Sequence, residues 1–150
     1  MNIAINDPDI SEKRYRAMIE NSEDAVVLLN AAGIIEYESP AYAKLMGRKE
    51  SFRLGNACLE FIHPDDHAIY AEAFDKILNN PGLPVKFSLR NRHCNGNWLH
   101  LECIANNLLE ESDICGIVVN IHDVTDHWNA REALRESESL YADLVLNQVA

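Results

Sequence analysis

Between Val85 and Val124 apolar and polar residues alternate, and a period of two sustained over three runs constrains this stretch to an antiparallel meander. Val85, Phe87 and Leu89 alternate with Lys86, Ser88 and Arg90. After the turn Asn95-Gly96-Asn97, Leu99, Leu101, Cys103 and Ala105 alternate with Trp98, His100, Glu102 and Ile104. A second turn, Glu110-Glu111-Ser112-Asp113, leads into a third strand, Ile114 to Val124, with Ile117, Val119 and Ile121 on one side. One face of this sheet is core. The other carries Trp98 and Ile104, too apolar for bare solvent, so cover by a flanking helix or a partner chain is expected there.

Upstream, Ala25 to Leu29, the turn Asn30-Ala31-Ala32-Gly33 and Ile34 to Tyr37 read as a hairpin over residues 24–38. Residues 1–10 are a polar, disordered lead-in with Asp7-Pro8, and from Ser11 the spacing of Tyr15, Met18 and Ile19 predicts a helix ending near Asn21-Ser22. Pro40 and Gly47 frame a short helix from Ala41 to Met46, and Gly55 punctuates another short segment before Cys58 to Ile62. His63-Pro64-Asp65-Asp66 opens a longer helix to about Asn79, because Pro and two carboxylates suit the positive first turn. Its expected buried stripe is Ile69, Ala73, Phe74, Ile77 and Leu78.

This order, at 150 residues and 47% apolar content, predicts one α+β domain over residues 11–125 and a C-terminal helix over 126–150. The charge balance, 13 − 24 = −11, repels phosphate backbones and anionic lipid, so nucleic acid is excluded as a partner. No apolar run reaches the roughly 20 residues that span a bilayer, so no membrane insertion is expected, and the absence of a signal-peptide pattern points to the cytoplasm. Cys58, Cys94, Cys103 and Cys115 are spaced by 36, 9 and 12, which fits neither a zinc nor a redox pattern and leaves reduced thiols as the expectation.

After Thr125, a plausible N-cap, the period returns to that of a helix. Ala130, Leu134, Ser137, Tyr141 and Leu144 step by 4, 3, 4 and 3, a coiled-coil seam weakened by its serine; packing on the domain's own sheet is the alternative. The pattern Ser11-Glu12, Tyr15, Met18-Ile19, Asn21 recurs 126 residues later as Ser137-Glu138, Tyr141, Leu144-Val145, Asn147. A second copy of the same unit is therefore expected to begin here, its first helix being the last helix of this one.

Five local patterns, in this order and spacing, resemble the PAS sensor family. They are Ala17-Met18-Ile19-Glu20-Asn21-Ser22, Ser39-Pro40-Ala41-Tyr42 with Met46-Gly47, Phe61-Ile62-His63-Pro64-Asp65-Asp66, Asn95-Gly96 with Trp98, and Asp123-Val124-Thr125. The resemblance implies a five-stranded antiparallel sheet with short helices and one long helix on one face, plus N- and C-terminal flanking helices. It also implies a non-catalytic sensor that dimerises through those helices and signals to a downstream output domain, a histidine kinase of a two-component system or a GGDEF-type diguanylate cyclase. Asp123 and Thr125 are the implied signal relay, with Arg90 or Arg92 as a possible partner of the carboxylate. The implied ligand pocket is lined by Leu28, Tyr42, Met46, Phe61, Phe74, Phe87, Leu101 and Val119.

Cofactor expectations follow from departures. Cys58 and Asn91 match the light-sensing members, whereas Ala57, Leu59, Ile62 and Ile121 replace flavin-binding residues. His67-Ala68-Ile69-Tyr70 is similar to a haem-ligating setting, which makes His67 a candidate ligand, but the ungapped register puts the ligand at Ala71. His63 and His67 lack a third metal ligand. The expected occupant is none or a colourless small molecule. The alternatives are a ligand-free dimerisation spacer and a small enzyme using Glu102 or His100 as base, both of which the alternation places on the face away from the core.

Overall fold

Alternation of side chains across each strand sorts this chain into one buried and one outer sheet face, and the register fixes which residues share a row. The structure, a computed structural model, describes residues 16–149 apart from 19, 22 and 49–52. Its strands are β1 (Ala25–Leu29), β2 (Ile35–Glu38), β3 (Val85–Arg92), β4 (Trp98–Leu108) and β5 (Gly116–Asp123), all antiparallel, in the order β2-β1-β5-β4-β3. Phe87, Cys103, Ile121 and Ala25 form one cross-strand row, and Val85, Ala105, Val119 and Val27 the next. Both rows face the core. The expected fold class, α+β with a five-stranded sheet and flanking helices, is the one observed.

On that face lie α1 (Pro40–Leu45), two 3₁₀ turns (Cys58–Phe61 and Pro64–Asp66) and α2 (His67–Asn79); α3 (Thr125–Val149) leaves from the end of β5. Ser39 starts α1 because its hydroxyl accepts from Tyr42 N at 3.2 Å and Val26 N at 2.9 Å, so the cap also pins the helix to β1. Gly33, at φ +78°, closes the β1–β2 turn, and a Cβ there would meet the Tyr70 hydroxyl at 2.9 Å.

Three expectations are corrected. Within α2, Ala73 and Ile77 are buried and Phe74 is half-buried, while Ile69 and Leu78 are exposed, because the helix packs through a stripe narrower than its apolar content suggests. The helix begins at His67; the residues before it form a 3₁₀ turn. The third strand begins at Gly116, because Ile114 belongs to the turn that Cys115 closes at φ +51°. The N-terminal helix is described at residues 16–18 and 20; the lead-in over 1–10 and the first half of the repeat pattern lie outside the described residues.

Candidate functional site

The inner sheet face and the 3₁₀ turn enclose a cavity of about 30 Å³ lined by Val27, Leu29, Tyr42, Cys58, Ile62, Tyr70, Phe87, Leu89, Asn91, Leu101, Cys103, Val119 and Ile121. Of the eight expected lining residues, Tyr42, Phe87, Leu101 and Val119 meet there. Met46, Phe61 and Phe74 belong to the surrounding core without reaching the cavity. Leu28 is on the wrong face. It pairs with Tyr37 and Val118 on the outer side, because its neighbours Val27 and Leu29 take the inward positions. A volume of this size holds about two waters at ~10–15 Å³ each, well below the ~300 Å³ of a drug-sized site.

The polar end of this region is organised by Arg53, which the sequence patterns did not single out. It is 2% exposed. Its Nη1 donates to the Tyr42 hydroxyl at 3.1 Å and to Asn91 Oδ1 at 2.8 Å, and Nη2 donates to the Arg92 carbonyl. Asn91 Nδ2 donates to the Tyr42 hydroxyl at 3.3 Å, and the guanidinium lies 4.3 Å from the Phe61 ring centroid. Burial raises the Tyr42 pKa, an effect the Arg53 charge opposes. Burial also pushes the Cys58 thiol up to about 12, so it is a protonated core thiol and a poor nucleophile.

His67 lies in the first turn of α2, its Nε2 3.0 Å from the Ile62 carbonyl, and does not line the cavity. His63 accepts from Asp65 N through Nδ1, and its ring meets Trp98 at 4.5 Å, which supplies part of the outer-face cover that Trp98 requires. Among the described residues no group of three or more His, Cys, Asp or Glu is placed to hold a metal ion.

The second feature is the joint between sheet and exit helix. Asp123 Oδ1 accepts from Thr125 N at 2.9 Å and from the Thr125 hydroxyl, while Thr125 Oγ1 accepts from His100 N at 2.9 Å. His100's carbonyl accepts from Val124 N at 2.8 Å, and its ring stacks on Trp128 at 3.8 Å and 11°. Asp123 and Thr125 thus meet each other and β4, and the expectation of Thr125 as N-cap is corrected: it is the first residue of α3, and its hydroxyl is engaged with His100 N and Asp123. The expected arginine partner is corrected: Arg90 is taken by Asp66, through bonds of 2.9 Å from Nε and Nη2, and among the described residues no ion pair joins Arg92 to Asp123. His100 and Glu102 are on the outer face as expected, in a cleft of about 540 Å³ shared with Arg90, His127, Trp128 and Arg131. Burial lowers the His100 pKa, helped by Arg90, and the ring serves as a packing surface for Trp128.

Beyond the joint, every residue from 133 to 148 is exposed, including Leu134, Leu140, Tyr141 and Leu144. The helix does not fold back on its sheet. No helix among the described residues is long and apolar enough to cross a membrane.

A 2-1-5-4-3 antiparallel sheet with short helices over one face and an exit helix rooted on its central strands defines a class of small α+β modules. The family model described as the PAS fold matches residues 13–124, and the chain belongs to that family. It is similar to a sensory box histidine kinase/response regulator from Burkholderia thailandensis (25% identity, TM-score 0.65, covering 87% of this chain and 98% of that one). A domain of a sensory box sensor histidine kinase/response regulator from Geobacter sulfurreducens is 20% identical (TM-score 0.65, 79% and 98% covered). The PAS domain of an HTR-like protein from Haloarcula marismortui is 21% identical (TM-score 0.62, 77% and 93% covered).

Proposed function

We propose that this chain is the sensory or regulatory module of a larger signal-transduction protein, passing ligand or partner state through Asp123-Val124-Thr125 and α3 to a downstream output domain. The joint carries this reading. His100, on the strand that walls the cavity through Leu101, bonds Thr125 through its amide and Val124 through its carbonyl, and its ring meets Trp128, so displacement of β4 against β5 turns the root of the helix. That root moves a 25-residue helix, about 37 Å long at 1.5 Å per residue. The pocket need supply no new force, only a preference between two packings of sheet against helix.

The likeness to sensory box histidine kinases supports a kinase as output; a diguanylate cyclase is the other reading. The exposed apolar positions of α3 support a homodimer through the flanking helices, and the repeat pattern supports a second PAS-like unit after this one. The division into a sensor at 11–125 and a signalling helix at 126–150, and a cytoplasmic site of action, belong to the same proposal. The small cavity favours one alternative, a ligand-free dimerisation spacer.

The deciding experiment is Asp123→Ala in the full-length protein, with the downstream activity measured across its regulated range. Loss of regulation with the domain still folded is expected, and unchanged regulation overturns the relay. Native mass spectrometry and visible spectra of freshly purified protein test the spacer reading, which predicts the bare chain mass.

A further inference from the structure

We propose that protonation of His100 loosens the root of α3, which makes the joint between sheet and exit helix a pH-sensitive device. This deepens the relay reading and rests on it only for the effect on output.

The His100 ring meets α3 by its face. It lies 3.8 Å from the Trp128 ring and 11° from parallel, in the first turn of the helix. Among the described residues neither ring nitrogen has a hydrogen-bond partner and no carboxylate lies within ion-pair distance of the ring, so its contribution is the stack itself. The outer cleft of about 540 Å³ opens onto the same residues, so a proton reaches the ring without unfolding.

Charged groups face this ring from every element around it. From β3, Arg90 is its directly opposite partner. The backbone groups of the two residues point away from each other, Arg90 N to Asp66 and His100 N to Thr125, and pairs of that kind bring their side chains closest. A second cation opposite the Arg90 guanidinium is therefore disfavoured. The carboxylates that could offset it are engaged elsewhere: both oxygens of Asp66 accept from Arg90, Asp123 Oδ1 accepts from Thr125, and Glu132 accepts from Arg135 at 2.7 Å. Glu102, next on this face of β4, stands opposite His122 on β5, and α3 adds His127 and Arg131 to the cleft. The indole face attracts a cation, but Trp128 is 42% exposed and such attraction is weakest at exposed sites. Burial first, and Arg90 second, hold the His100 pKa below its ordinary 6.5.

A histidine whose docked pKa lies below its free value takes its proton more readily once the ring is released. Docking is thus at full strength above about pH 6.5 and weakens as pH falls through 6.5 towards the lowered docked value. Release reaches the backbone, because the His100 amide and carbonyl bond Thr125 and Val124.

The test is a titration of the folded chain from about pH 8 to 5 in a Trp98→Phe background, which leaves Trp128 as the one tryptophan and removes the ring that meets His63. His100 is followed by its ring Cε1–H resonance and Trp128 by its emission. A His100 pKa below 6.5 is expected, with a red shift of emission on the same curve. His100→Phe, whose ring stacks without titrating, should abolish that shift. Trp128→Ala, which uncovers the imidazole, should move the His100 pKa back towards 6.5, since docking and protonation are coupled reciprocally. A His100 pKa at or above 6.5, emission that does not follow it, a shift that persists in His100→Phe, or a pKa unmoved by Trp128→Ala overturns the proposal. If His100→Phe fails to fold, the parent titration and Trp128→Ala decide. The relay is read separately in the full-length protein: a joint that titrates while His100→Phe leaves the pH profile of the downstream activity unchanged removes the relay and leaves the pH-sensitive joint.

Discussion

Asp66→Asn keeps the shape of a side chain that ties α2 to the outer edge of β3 and removes only its charge. The carboxylate accepts from Arg90 N at 2.8 Å and from Nε and Nη2 at 2.9 Å. Hydrogen bonds to charged groups contribute about 1.5–3 kcal/mol against about 0.5–1.5 for neutral ones, and breaking a fully buried pair costs roughly 3–5 kcal/mol. The Arg90 side chain is 30% exposed and can turn to water, so the expected loss is discounted to about 2–3 kcal/mol. At roughly 3–4 °C per kcal/mol for a domain of this size, Tm should fall by about 6–12 °C. The Arg90 guanidinium bonds hold the Asp66 carboxyl below its ordinary 3.8. A depressed folded-state pKa stabilises fully above the unfolded value near 3.9, and that stability is lost as pH falls through the folded value. Urea unfolding followed by circular dichroism should therefore show a constant gap between the two proteins from about pH 5 to 8 that closes below about pH 4. A gap under about 1 kcal/mol at pH 7, or one undiminished at pH 3, would refute the reasoning.

Thr125→Val removes the acceptor for His100 N and the hydroxyl that donates to Asp123, and should cost about 1 kcal/mol while red-shifting Trp128 emission as the ring stack loosens. Under native conditions at pH 8 a thiol reagent should label Cys94 and Cys115, which are exposed, and spare Cys58 and Cys103, whose thiols burial pushes up to about 12; labelling of all four before unfolding would contradict the packing. Gly47→Ala places a Cβ 2.5 Å from His93 Cε1 at φ +81° and should lower stability by about 2–4 kcal/mol in denaturant titration, more than the ~1 kcal/mol of backbone strain alone.

The meander was legible because alternation of period two assigns a face to each residue, and the register keeps Phe87, Cys103 and Ile121 in one row as that period requires. The hairpin was legible in type and not in face. Ala25 to Leu29 is apolar throughout, and Val26 is buried as well as Val27, so composition offers no parity, and Leu28 fell on the wrong side. The pairing of Asp123 with Thr125 was readable from a local motif because its contacts span two residues. Arg53 was not, since its partners Tyr42 and Asn91 stand 11 and 38 positions away and no periodicity marks a charged residue that folds inward. Asp66 and Arg90, 24 apart, were hidden for the same reason.

On the proposed reading, the strengths of joint and ligand must be of one order for the switch to work. A neutral side-chain hydrogen bond contributes about 1 kcal/mol and a ring stack about 0.5–1.5 kcal/mol, so the side-chain contacts that root α3 on β4 sum to roughly 1.5–2.5 kcal/mol. A ligand with three heavy atoms can contribute at most about 1.5 kcal/mol per atom, roughly 4.5 kcal/mol in all, and only the part that differs between two packings is available to shift them. Moving a population from 1:99 to 99:1 needs about 5.5 kcal/mol. A ligand of that size could thus bias such a joint without fully inverting it. A second bias must then come from elsewhere for an all-or-none response, and the exposed apolar positions of α3, Leu134, Tyr141 and Leu144, are where pairing with another helix would supply it.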